Sequence, residues 1–145
     1  MTGLRLLAED MQDLEIISAH LQDAVGRTGD LAYLPSRRRF ALIVNRFRWE
    51  IEKGGRRHGH QRVRTGLHFD NVLRVRSRNI DHDQPNRVLS LLAVRFEETD
   101  APSGRVILVF AGGAEILLEV EALDVHLSDI GQSWETPNVP AHPPE

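Results

Sequence analysis

Leu4, Leu6 and Leu7 begin the chain as a short apolar strand, and Asp10 interrupts it. Asp10 with Asp13 three residues on suits a helix start, where carboxylates accept from free backbone N–H groups and meet the positive end of the helix dipole. Leu14, Ile17, Leu21, Ala24 and Val25 then recur at helical spacing, with Glu15, Gln22 and Asp23 off the stripe. Gly26 follows as a stop signal. The spacing predicts one amphipathic helix over residues 11–25.

From Asp30 the period shortens to two. Leu31 to Leu34 reads as a strand and Pro35 to Arg38 as a turn. Phe40 to Trp49 reads as a longer strand, apolar on both faces at its start. Residues 53–60 carry three glycines and no apolar side chain, which predicts a flexible loop. In Arg62–Phe69, Val63, Thr65 and Leu67 oppose Arg62 and Arg64. In Val72–Arg78, Leu73, Val75 and Ser77 oppose Arg74, Arg76 and Arg78. Further strands are expected over Val88–Glu97, Arg105–Phe110 and Glu115–Leu127, the last two flanking the hairpin dipeptide Gly112-Gly113. The inward set Ile116, Leu118, Val120 changes phase at Leu123, Val125, Leu127, predicting a β-bulge or bend near Glu121-Ala122. Trp134 is expected to pack back on the core.

These elements specify an α+β fold. One N-terminal amphipathic helix packs on a largely antiparallel, strongly twisted sheet of about 6–7 strands, with a partial barrel as its most curled form. A chain of 145 residues suits one domain and buries enough surface to need no staple. We place that single domain at residues 1–135 and a Pro-rich, disordered tail at 136–145. The chain has no cysteine, which excludes disulfides, thiolate metal sites and a cysteine nucleophile. With no basic-then-apolar leader and no apolar run of membrane length, the expected location is cytoplasmic.

Charge changes the picture more than composition does. The formal net charge of −3 divides into −4 over residues 1–36, +9 over 37–87 and −8 over 88–145. Either basic strands pair with acidic ones across the sheet, or a basic face meets an anion.

The segments Asp13–Val25, Gly29–Pro35 and Arg39–Glu50, together with the closing 116–131 stretch, resemble an alphaproteobacterial family of stand-alone proteins about 150 residues long, known only as a domain of unknown function. The resemblance spans nearly the whole chain. It implies a bacterial cytoplasmic protein and brings no activity, cofactor or catalytic residue with it.

Arg62, Arg64, Arg74, Arg76 and Arg78 are the anion-binding candidates. Alternate strand residues stand about 6–7 Å apart on one face, a spacing comparable to that of phosphates, and arginine binds phosphate bidentately. Few aromatics accompany them for base stacking; His68 is the nearest. The competing expectation pairs these arginines with Glu97, Glu115, Glu119 and Glu121. His58 and His60 are a weaker constellation for a metal, which His68 or His82 with Asp81 and Asp83 could join only if the fold brings them together, and His58, His60 and His82 with nearby acids are the candidates for an enzyme site. Asp124 and Asp129 flank His126, but strand alternation sends neighbours to opposite faces, so no dyad is expected. No phosphate-binding glycine loop and no nucleophile elbow occurs. No catalytic residue, cofactor or metal is therefore assigned. The leading expectation is a non-catalytic binding or interaction domain, and the alternative is an anion binder for a phosphorylated ligand or nucleic acid. A homodimer through an open sheet edge is a further expected partner class, and a membrane is not.

Overall fold

The computed structural model describes residues 3–52, 60–137 and 140. Nine strands form one antiparallel sheet: β1 (Arg5–Ala8), β2 (Ala24–Leu34), β3 (Arg39–Phe47), β4 (Gln61–Phe69), β5 (Val72–Arg78), β6 (Val88–Glu98), β7 (Gly104–Phe110), β8 (Glu115–Val120) and β9 (Val125–Glu135). Their order is β1-β9-β4-β3-β2-β6-β7-β8-β5, with β1 and β5 as unjoined edges. Helix α1 (Met11–Leu21), a single turn, α2 (Trp49–Glu52), and two short 3-10 turns, Pro35–Arg37 and Ala111–Gly113, complete the described elements.

The α+β class and the antiparallel sheet hold, but nine strands replace the expected six or seven. Two departures stand out at the C-terminal end. The phase change near Glu121 is the bend of the two alternatives: the chain bends at Glu121-Ala122 and breaks into two strands, with no bulge within one. β8 ends at Val120 beside β7 and β5, whereas β9 starts at Val125 between β1 and β4. β9 also runs on through Gly131-Gln132-Ser133 to Glu135, a polar stretch with no apolar alternation to announce it. Trp134 lies in this extension and is exposed instead of packing on the core.

The helix begins as predicted, with the Asp10 carboxylate accepting from the Asp13 N–H at 2.8 Å. It ends four residues early. Asp23 adopts a left-handed φ of 65° and turns the chain, and Ala24 to Arg27 then pair with Leu91 to Val88 of β6. Ala24 is fully buried, so its apolar character fits a strand as well as a helix. Strand pairing decided between them, because it gives the backbone of these residues partners on both β3 and β6.

α1 buries Leu14, Ile17 and Leu21 against β6, β1 and β3. The Ser18 hydroxyl accepts from the Val94 N–H at 2.9 Å, next to the register shift between Leu91 and Ala93 in the β6–β7 ladder. The helix thereby supplies a partner to a backbone group that the second half of β6 leaves free.

β4 and β5 follow each other in the chain but are far apart in the sheet order. Only a curled sheet allows the Asp70-Asn71 connection between them. The Val72 N–H donates to the Arg38 carbonyl at 2.8 Å, the Tyr33 hydroxyl to the Val72 carbonyl at 3.0 Å, and the Asp70 N–H to the Asp124 carbonyl at 2.9 Å. Inside the curl, Phe40, Leu42, Leu67, Phe69, Leu108, Leu118 and Leu127 join the helix residues in one continuous core. The hairpin between β7 and β8 turns at Gly112 and Gly113, both at φ 80°, where a side chain would be strained. Of the predicted 53–60 loop, only His60 lies within the described residues, and of the predicted tail only Thr136, Pro137 and Pro140 do. Among the described residues no helix is long and apolar enough to cross a membrane.

Candidate functional site

The five arginines singled out in the sequence are not gathered on one platform. β4, which carries Arg62 and Arg64, pairs with β3 and β9, whereas β5, which carries Arg74, Arg76 and Arg78, pairs with β8. The two strands are not neighbours. Arg62 donates to the Asn45 carbonyl at 3.2 Å and stands 5.9 Å from the centroid of the Phe47 ring. Burial lowers its pKa from the ordinary arginine value.

On β5 the three arginines do share one outward face, as alternation requires. Acids interleave with them. Arg76 reaches Glu119 at 3.3 Å and Arg78 reaches Glu115 at 3.8 Å. Across the sheet, register places Arg74, Glu119, Arg105 and Glu97 in one row of alternating sign. Opposite charges on facing positions stabilise strand pairing modestly, at about 0.2–1 kcal/mol per pair. β5 therefore meets the acidic β8 in the self-complementing arrangement, whereas Arg62 and Arg64 of β4 stand opposite Trp134 and Ile130 of β9. Outside the ladder, Arg38 and Glu121, both in connections between elements, pair at 2.7 Å.

A second polar constellation is buried. In β3 the inward set Phe40, Leu42, Val44 continues into Arg46, whose side chain is 0 % exposed. Arg46 Nε and Nη2 donate to the two Asp129 carboxylate oxygens at 2.9 and 2.7 Å. Nη1 and Nη2 donate to Glu50 of α2 at 2.8 Å each, and Nη1 also contacts the Phe47 carbonyl at 3.4 Å. The Leu4 N–H and the Thr65 hydroxyl donate to Asp129 as well. Burial opposes ionisation of Glu50, but the Arg46 hydrogen bond, a backbone N–H and the charges of Arg46 and Arg48 outweigh it and hold the carboxyl down at about 2. Burial also opposes ionisation of Asp129, and Arg46, the Leu4 N–H and the Thr65 hydroxyl overcome it, lowering the pKa. With its donors engaged, Arg46 acts as a clasp joining β1, β3, β4, β9 and α2 and offers nothing to a ligand.

The third constellation lies on the outer face of β4 and β9. His68 and His126 are direct cross-strand partners, their rings stacked at 4.6 Å and 18°. Beyond them, Asp70 Oδ2 lies 3.7 Å from His68 Nε2 and 3.8 Å from His126 Nε2, and Asp124 Oδ1 lies 2.9 Å from His126 Nε2. Arg39 Nε donates to the other Asp70 oxygen at 2.7 Å. Burial, and then the Arg39 charge, lower the His68 pKa and favour its neutral form. His126 and Asp124 do meet: they are two residues apart, so an extended chain puts both side chains on one face, and the expectation that alternation would separate them is corrected. His60 and His82 do not join this group. His60 lies near the Phe47 ring, His82 bonds Ser77 at 3.0 Å, and His58 lies outside the described residues.

Finally, beyond Leu91 no described strand pairs with β6 on its helix side, and a groove of about 440 Å³ opens there against α1. Met11, Leu14, Val94 and Phe96 wall it, and Glu15, Arg95 and Glu97 rim it.

Fold and sites together define an α+β domain dominated by one curled antiparallel sheet. The chain belongs to a family described as protein of unknown function, DUF2948, whose model matches residues 4–142. No curated protein and no solved structure matches the chain.

Proposed function

We propose that the chain is a non-catalytic binding domain that holds an extended segment of a partner protein in the groove between α1 and the second half of β6. The observation that carries this reading is an apolar trough running beside an unpaired strand edge. The Val94 N–H is taken by Ser18, and strand geometry turns the backbone groups of Phe96 to the same side, where no described strand pairs with them. An extended peptide can add there as a strand, its backbone giving affinity and its alternate side chains entering the apolar trough. Peptides selected from a displayed random library are the test, with binding measured by titration calorimetry. Met11 is 48 % exposed, so Met11→Glu should leave stability within about 0.5 kcal/mol while weakening the selected peptides at least tenfold. Peptides unaffected by that substitution would sink the reading.

A second reading keeps an anion on β5, favoured by the exposure of Arg74, Arg76 and Arg78 along a free edge. It predicts heparin binding that falls steeply between about 50 and 200 mM salt and weakens in the Arg74→Ala/Arg76→Ala variant. Retention that ignores both salt and the double substitution removes it.

A further inference from the structure

We propose that His68, His126 and Asp70 bind a single divalent transition-metal ion, with Asp124 beside them as an additional carboxylate. Among the described residues this is the one group of three or more side chains whose ligating atoms could hold an ion together, all within 4.8 Å of one another.

The geometry suits it. A tetrahedral ion with ligand bonds near 2.0–2.1 Å needs ligand atoms about 3.4 Å apart. The observed separations of 3.7 and 3.8 Å from Asp70 Oδ2 to the two Nε2 atoms lie a few tenths of an ångström outside that. The remaining separation, between the two imidazole nitrogens, lies within 4.8 Å, and ring rotation is the movement by which an ion would draw them together. Two imidazole nitrogens with a carboxylate select zinc, cobalt, nickel or copper over the hard cations calcium and magnesium, which prefer all-oxygen shells.

The surroundings hold the ligands in place. The histidines sit opposite each other in a regular antiparallel ladder, so their spacing is set by backbone hydrogen bonds. Arg39 takes Asp70 Oδ1 and leaves Oδ2 facing the rings, the kind of outer contact that orients a ligating carboxylate. The Asp70 N–H bonds the Asp124 carbonyl, tying together the two connections that supply the acids. The Arg39 charge opposes a cation, but Asp70 and Asp124 outnumber it, leaving the cluster formally at −1 with both imidazoles neutral. All four side chains are partly exposed, so an ion has an entry path and solvent can complete its shell. On binding, the ion takes the Nε2 lone pair of each ring. A doubly protonated imidazole has no lone pair to give and must first lose a proton to solvent, so binding weakens as pH falls.

The test uses the full, untagged chain stripped with chelator and titrated with Zn²⁺ alone by calorimetry. Co²⁺ absorption reports the coordination number, and nitrogen-15 imidazole shifts report which rings bind. We expect one equivalent per chain, with the Nε2 resonances of His68 and His126 moving together on Zn²⁺ addition. His68→Ala, His126→Ala and Asp70→Asn should each weaken binding by about 10–100-fold, while His60→Ala and His82→Ala should not. The imidazole shifts are read on the unsubstituted protein, so they decide even where a variant fails to fold. Binding that survives the His68→Ala/His126→Ala variant, imidazole shifts confined to other histidines, or no saturable Zn²⁺ binding would each overturn the site.

Discussion

Arg46→Ala is expected to cost about 3–5 kcal/mol of folding stability, the range for breaking one partner out of a buried ion pair. The loss arises less from the missing bonds than from what stays behind. Asp129 is 3 % exposed in its side chain, and without Arg46 it keeps only the Leu4 N–H and the Thr65 hydroxyl against its charge. Removing both partners should therefore cost less than the sum of the single changes. In a double-mutant cycle with Arg46→Met and Asp129→Leu, urea denaturation should give a coupling within about 0.5–3 kcal/mol. A coupling of zero would show that the clasp does not work as a unit.

The pH dependence follows with its sign. Glu50 and Asp129 have folded-state pKa values below their ordinary ones of 4.5 and 3.8, so their contribution is fully present above those values and is lost as pH falls through the folded ones, about 2 for Glu50. The stability gap between the unsubstituted protein and Arg46→Ala should thus be widest near neutrality and narrow through that window. A gap constant from pH 7 to pH 2 would contradict the assignment.

Phe69→Ala should cost a similar amount, about 3–5 kcal/mol, for a different reason. Phe69 is 1 % exposed and packs against Phe40 with ring centroids 6.4 Å apart. It is the last residue of β4, where the chain leaves the middle of the sheet for the opposite edge. The surrounding backbone is pinned by the Asp70–Asp124 and Val72–Arg38 hydrogen bonds and has little freedom to collapse into the space. Leu73 is the control. It is equally apolar and only four residues on, but 50 % exposed, and Leu73→Ala should stay within about 0.5 kcal/mol. Equal losses from the two substitutions in chemical denaturation would refute the packing argument.

The groove and the metal site have different physical origins. The groove exists because α1 stands in place of a strand along half of β6. The histidine cluster exists because β9 inserts between β1 and β4 and brings His126 opposite His68. Neither shares a residue with the Arg46 clasp, so each can be removed without disturbing it.

Local patterns were enough for the helix start at Asp10, the inward faces of β4, β7 and β8, and the glycine turn after Phe110. Each depends on alternation, capping or φ preference within a few residues. The inward position of Arg46 was also legible, since it falls two residues after Val44 in the same alternating set. Its meaning was not, because Asp129 and Glu50 reach it from β9 and α2. Strand order accounts for the rest. Period-two alternation says which face a residue takes and nothing about which strand lies beside it. The helix end, the separation of β8 from β9, the division of the arginines between β4 and β5, and the meeting of His68 with His126 were all decided by long-range pairing in a curled sheet.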